Sequence, residues 1–298
     1  MAFVNGLVPE SAATISIFDR GVQLGHGVYE RTRTFNRGEK LFRLDEHLSR
    51  LQRSLRALRF DPGLTIAQIK EVTLDFVARN RSLLGPNDDY SVGHYITRGR
   101  PGGPPQVIIF TDPIPFESFA HEYLEGGHAV TAVTRALPTQ VIDPKMKTTS
   151  RLHFWLAEQE AHLVDPHAYP LVLDLDGNVT ELTAANFWIV REGTVVTPPD
   201  RSILGGISRA AVMEVAGELG VPVSQRDFQP YDVRNADEAF LTTTSRSILP
   251  ITKIDGSPIG DGKPGPVVAR LQNGWAERYG FDFVAQALAH LPPATLEV

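Results

Sequence analysis

Helical and strand-like periodicities are interleaved along this chain without settling into a regular strand-helix-strand alternation, an order that fits two α+β domains better than one doubly wound sheet. Strand-like runs at residues 3–5, 27–36 and 41–43 lead into Leu44, Leu48, Leu51, Leu55 and Leu58, spaced as one helix face. Asp45 is the N-cap candidate of that helix, expected over 45–59, and a second helix is expected over 65–80. Strand patterns at 91–97 and 107–111 flank the turn-rich RGRPGGPP. The segment DPIPFESFAHEYLEGG, with its prolines and closing glycines, reads as a connector. Residues 1–118 are therefore expected as a smaller N-terminal domain, 119–127 as connector and 128–298 as a larger domain. The second half predicts a strand at 129–134 and a helix at 150–164. A hairpin is expected at DLDGN, between the apolar runs around Leu171 and Phe187. A helix at 208–219 is stopped by Gly220 and Pro222, and strands at 238–243 and 248–254 precede a final helix at 267–279.

Composition narrows the chemistry more than the fold. The 298 residues, 42% hydrophobic and 21% charged, can bury a sizeable core, and a net charge of -6 with no basic tract argues against nucleic-acid partners. No apolar run approaches the roughly 20 residues that cross a bilayer, and MAFVNGLVPESAAT has no basic segment followed by an apolar core, so no membrane partner and cytoplasmic residence are expected. The count of cysteines is zero, which removes disulfides, thiolate nucleophiles and zinc-thiolate sites. Lys, His, Tyr, Ser, Thr, carboxylates or a cofactor must carry any reaction, and no metal site is expected.

Three distant segments supply candidates. In DPKMKTTS, Lys147 follows a strand-like stretch and precedes a helix; apolar packing around its stem would desolvate the ammonium and make the amine an available nucleophile. A solvated lysine is the plainer reading, and spacing alone does not choose between Lys147 and Lys145. Glu181, inside the apolar VTELTAANFW, implies a cationic or protonated partner if buried. In LGGIS, residues 204–208, two glycines let the backbone approach an anion at a helix start. Arg50 lies off the leucine stripe, where a forked guanidinium could reach a phosphate or merely cover a polar face. Thr242, Thr243, Thr244 and Ser245 add hydroxyls after a strand. An imine-forming lysine, a carboxylate for a ring nitrogen and a Gly-Gly helix start together suit pyridoxal phosphate.

The segments DRGVQLGHGVYE, FRLDEHLSRL, KTTSRLHFWLAEQEA, VTELTAANFWIV, ILGGISRAAV and ADEAFLTTTSRSILPI resemble, in order and over nearly the whole chain, the motifs of class IV (fold type IV) pyridoxal-phosphate enzymes. That family includes branched-chain, D-amino-acid and (R)-amine transaminases and aminodeoxychorismate lyases. The resemblance implies an α+β fold of two domains, a smaller N-terminal α/β domain and a larger C-terminal domain with a mixed β core and surrounding helices. It implies pyridoxal 5'-phosphate as cofactor and a homodimer. It makes Lys147 the Schiff-base lysine with Lys145 beside it, and Glu181 the partner of the pyridine nitrogen. Arg50 becomes the phosphate-binding arginine, with Ile207, Ser208 and Thr244 completing the phosphate cup. Ping-pong transfer of an amino group from an amino acid or (R)-amine to a 2-oxo acid is then the expected activity, and pyruvate release by a lyase the alternative.

Substrate residues are less sharply marked. Strand alternation puts Tyr29, Arg31 and Arg33 on one face, which by resemblance looks into the pocket, and Arg98 or Arg100 could bind a carboxylate from the TRGRPGG loop. Ser245 joins them as a substrate-side hydroxyl. The chain departs from the branched-chain pattern at Leu152, where a tyrosine is usual, and at residues 91–93, where an arginine is usual. It lacks the Arg-x-His trap of the D-amino-acid enzymes, and has Leu182 and His26 where the family usually has glycine and aspartate.

Overall fold

The computed structural model describes residues 1–292; residues 293–298, the end of the expected larger domain, lie outside the described residues. The chain divides into two compact units, one of residues 1–114 with 146–151, the other of residues 115–145 with the chain from Leu152 onward.

In the first unit, β1 (Ala2–Val4), β2 (Leu7–Val8), β3 (Gly27–Phe35), β4 (Lys40–Leu41), β5 (Tyr90–Thr97) and β6 (Gln106–Pro113) form a sheet in the order β2-β1-β6-β5-β3-β4. Every pairing in it is antiparallel. Its helices are α1 (Arg20–Leu24), α2 (Leu44–Ala57) and α3 (Ile66–Asn80). One sheet face, with Val28, Val92, Ile96, Val107 and Ile109, shares a core with the α2 leucines and with Ile69, Phe76 and Val77 of α3. Each such side chain contributes about 1.5–3 kcal/mol on burial. Leu58, expected on the same stripe, is 39% exposed, because α2 ends at Ala57. Nor is Asp45 the cap. Arg43 holds the N-cap position in a left-handed conformation at φ 50°, and Asp45 stands in the first turn, where its charge meets the positive end of the helix and Lys70 at 2.6 Å. Thr65 does cap α3, in a capping box with Gln68.

The second unit holds β7 (Gly127–Arg135), β8 (Tyr169–Leu173), β9 (Val179–Leu182), β10 (Ala185–Arg191), β11 (Thr194–Thr197), β12 (Val223–Gln225), β13 (Glu238–Thr243), β14 (Ser247–Ile254) and β15 (Ser257–Pro258). Because β9 pairs with both β8 and β10, a ring closes through β10, β13, β14, β7, β8 and β9. Pairs β14–β7 and β7–β8 are parallel, and the other pairs of the ring antiparallel. The helices are α4 (Glu122–Glu125), α5 (Leu152–Val164), α6 (Ile207–Glu218), α7 (Pro230–Arg234), α8 (Pro266–Tyr279) and α9 (Phe283–Leu288). Parallel β7 and β8 need a crossover, and α5 supplies it, seating Ala157 and Ala161 among Val130, Ala132, Ala168 and Val172.

The DLDGN turn joins β8 to β9: Asp174 accepts the backbone N–H of Asp176 at 2.9 Å and of Asn178 at 2.8 Å, and Gly177 takes φ 83°. The Phe187 run is the next strand, β10, reached through a second turn at Thr183 and Ala184. Helix α5 begins at Leu152 rather than at 150, since Thr149 and Ser150 donate their hydroxyls to Gly25 O instead of opening a helix.

Candidate active site

Lys147 lies on an edge of β3. Its carbonyl accepts the Tyr29 N–H at 2.9 Å, Thr148 bridges Val28, and the Thr149 N–H donates to Gly27 O at 3.0 Å, so residues 147–149 run as an added strand beside the start of β3. The Lys147 N–H is held by Ser54 Oγ of α2 at 3.2 Å. Its ammonium stands 4.5 Å from the Tyr29 ring centroid, within cation-π range. Arg151 stands 5.6 Å from the same ring. Lys145 is exposed and pairs with its neighbour Asp143 at 3.0 Å. The two lysines that spacing could not separate thus have different surroundings.

On the face of β3 that carries Tyr29, three rings stack across three strands: Tyr29 on Tyr95 and Tyr95 on Phe110, each at 5.4 Å. Gly93 makes room, because a Cβ there would meet the Phe110 ring at 2.5 Å. Arg31 lies 4.8 Å from the Phe110 centroid, paired with Asp112 at 2.7 Å and donating to Ser91 Oγ at 3.1 Å. Arg33 is 1% exposed and donates from Nε to Thr34 O at 3.0 Å, which sets its guanidinium inside the fold. Arg98 and Arg100 are exposed, over Phe60 at 5.9 Å and Phe18 at 5.4 Å.

The opposite face of β3 carries Glu30, which sequence reading passed over. It is fully buried, and Arg50 donates to it twice, Nε to Oε2 at 2.8 Å and Nη2 to Oε1 at 2.5 Å. His47 Nδ1 adds a contact at 3.1 Å. Burial alone would raise the Glu30 carboxyl, but the charge and hydrogen bonds of Arg50, with His47, hold it far below the usual carboxylate range. Burial pushes His47 down despite that carboxylate. His94, also buried, is pushed down to about 4. Thr73 gives its hydroxyl proton to Ile69 O at 2.7 Å, so His94 Nε2, 2.9 Å away, must be the donor to Thr73 Oγ1. A signal for this network existed: the alternation of GVYERT places Glu30 with Val28 and Thr32, and a carboxylate on a core face demands the cation that i, i+3 spacing delivers in His47 and Arg50.

In the second unit, Glu181, the third residue of β9, is half-buried and accepts the Leu204 N–H at 3.2 Å. Asn186 bridges the two, donating to Glu181 Oε2 at 3.4 Å and to Leu204 O at 2.9 Å. Gly206, the N-cap of α6, packs so closely that a Cβ would lie 1.9 Å from Asn186 Oδ1; a Cβ on Gly205 would meet nothing within 4 Å. No side chain caps α6, so its first amides, at Ile207 and Ser208, and the positive end of its dipole are not met by a capping side chain. Ser208 Oγ donates to Thr243 O at 2.9 Å, tying this helix start to the β13–β14 turn that bears Thr244 and Ser245. Buried Arg209 anchors α6 through Pro198 O and Gln225, both at 3.0 Å. Among the described residues no cluster of three His, Asp or Glu could hold a metal ion, and no helix is long and apolar enough to cross a membrane.

Comparison with known proteins gives a consistent result. Residues 27–254 match the family Amino-transferase class IV. The chain is 33% identical over 285 residues to a D-alanine aminotransferase of Listeria monocytogenes, covering 92% of this chain and 93% of that protein. It is 34% identical over 280 residues to a putative branched-chain-amino-acid aminotransferase of Methanocaldococcus jannaschii, covering 91% and 93%. Among solved structures, the Escherichia coli branched-chain amino acid aminotransferase superposes with a TM-score of 0.85 at 27% identity, covering 94% of this chain and 93% of that one. The T.th. branched-chain amino acid aminotransferase, solved with pyridoxamine 5'-phosphate, gives 0.83 at 26% identity, covering 93% and 92%.

Proposed function

Because the chain belongs to the class IV aminotransferase family and is a transaminase, we propose that Lys147 is its catalytic amine, acting on pyridoxal 5'-phosphate held by Glu181, Arg50, Ile207, Ser208 and Thr244. The observation that carries this reading is the contrast between the lysines: Lys147 is half-buried against Tyr29 with its backbone fastened to β3, whereas Lys145 is spent on a surface pair. The residues fit the group. An uncapped helix start beside a hydroxyl-bearing turn suits a phosphate, and Glu181, fixed by an amide donor on each side, suits a protonated ring nitrogen. When bound, the cofactor supplies an electron sink for the carbanion formed at the substrate Cα. Lys147 Nζ would take up and give back the proton of the substrate Cα, acting as base and then acid. Glu181 holds the proton on the ring nitrogen, and Glu30, paired twice with Arg50, fixes the direction of that guanidinium.

Tyr29 lines the substrate side in this reading, and Arg31, Arg33, Arg98 and Ser245 are its further candidates. Arg31 is engaged by Asp112 and Arg33 is buried, which argues against either as the ligand of a substrate carboxylate. The donor is an α-amino acid or an (R)-amine and the acceptor a 2-oxo acid. Residues 1–118 serve as the small domain, 119–127 as connector and 128–298 as the cofactor domain, in a cytoplasmic homodimer.

The test is a half-reaction. The loaded protein should lose its visible cofactor band on addition of one donor class among L-amino acids, D-amino acids and the two amine enantiomers, and regain it with a 2-oxo acid. Lys147→Ala should lower turnover by about 10²–10⁴-fold; a variant that retains wild-type turnover removes Lys147 from the role. Pyruvate released from aminodeoxychorismate without an acceptor would show a lyase instead.

A further inference from the structure

Arg151 stands four residues after Lys147, at the end of the short segment that belongs with the first unit. Its main chain is set by the residues before it. Thr149 donates its N–H to Gly27 O at 3.0 Å, and the Thr149 and Ser150 hydroxyls donate to Gly25 O at 2.9 and 3.0 Å. Gly25 permits this close approach, with φ 67° and room where a Cβ would meet Ser150 Oγ at 2.5 Å. Arg151 therefore leaves a pinned stretch of backbone. Its side chain is half-buried, with the guanidinium 5.6 Å from the centroid of Tyr29, the same ring from which the Lys147 ammonium stands 4.5 Å. That ring is itself held by stacking on Tyr95 at 5.4 Å. Two cationic groups are thus gathered on one aromatic side chain, no farther apart than the sum of their distances to it.

Like charges brought together in this way repel, and a carboxylate entering beside them is drawn to both. A lysine that moves the Cα proton must come within about 3–3.5 Å of the reacting atom. The α-carboxylate of an amino acid or a 2-oxo acid hangs on that same carbon, so its ligand must stand close to Lys147. Arg31 lies against Phe110 and pairs with Asp112, Arg33 is buried, and Arg98 and Arg100 lie over Phe60 and Phe18. Arg151 shares the ring of the lysine, and its planar fork of donors matches the two oxygens of a carboxylate. From these observations we infer that Arg151 binds the α-carboxylate of the substrate and so favours α-amino acids and 2-oxo acids over amines. This rests on the reading of Lys147 given above.

Calorimetric titration of the cofactor-loaded protein with propionate and with propionamide isolates the charge, since the two differ little in shape. Propionate should bind at least about ten-fold more tightly than the amide, the margin of a charge-assisted pair. Arg151→Gln should abolish most of that margin, and Arg151→Lys should restore part of it. In turnover, kcat/KM for pyruvate should fall at least about ten-fold in Arg151→Gln, with the loss chiefly in KM. Equal affinity for both ligands in the wild type overturns the inference, as does a margin that survives in Arg151→Gln. So does an equal loss of both ligands in that variant, which would mark a structural role. A protein that takes up no pyridoxal phosphate refutes the reading of Lys147 instead, and the same two titrations on that protein still decide Arg151.

Discussion

At the scale of single residues, one strand sends its chemistry in two directions. Tyr29 and Arg31 leave β3 on one side, Tyr29 against Lys147 and Arg31 toward Asp112, and Glu30 leaves on the other to meet Arg50 and His47. Removing the anion leaves a buried arginine unpaired, so Glu30→Gln should cost about 3–5 kcal/mol in chemical denaturation at neutral pH. The carboxyl of Glu30 is depressed on folding, and its contribution is therefore present above the ordinary carboxylate pKa of about 4.5 and lost as pH falls below it. His94 acts in a higher window. Its folded value of about 4 lies below the ordinary 6.5, so the unfolded chain binds the extra proton between them and stability falls as pH drops from 6.5 to 4. Denaturation midpoints across that range should slope less steeply in His94→Gln; an unchanged slope would show that His94 titrates alike in both states.

At the scale of elements, the start of α6 is a close fit on one side and open on the other. Gly206→Ala would drive a methyl into Asn186 and disturb its bonds to Glu181 and Leu204, whereas Gly205→Ala points into space. We expect the first to weaken cofactor binding by about ten-fold or more, with about 1–3 kcal/mol of overpacking, and the second to change it little, as read by fluorescence titration with pyridoxal phosphate. The long elements were legible because their stripes are long: four leucines mark α2, and Thr65 with Gln68 marks the start of α3. Helices α1, α4, α7 and α9 run only four to six residues, too short for a 3.6-residue period to declare itself. The left-handed Arg43 cap and the detour of residues 147–149 along β3 depend on tertiary pairing, which local pattern does not encode. The candidate lysine could be read from its motif, but its separation from Lys145 required the surroundings of each.

At the scale of the molecule, α5 presents Leu152, Trp155, Leu163 and Val164 outward, from 53% to 89% exposed. In our proposal of a homodimer, these exposed apolar groups are the surface assigned to the second copy. Trp155→Glu with Leu163→Glu should halve the mass seen by light scattering at micromolar concentration; a wild-type mass equal to one chain would refute the dimer. The central claim is that Lys147, and not Lys145, carries the cofactor. Borohydride reduction of the protein loaded with pyridoxal phosphate, followed by peptide mass spectrometry, tests it most directly. The account predicts one phosphopyridoxyl group, on Lys147; a label on Lys145, or no stoichiometric label at all, would contradict it.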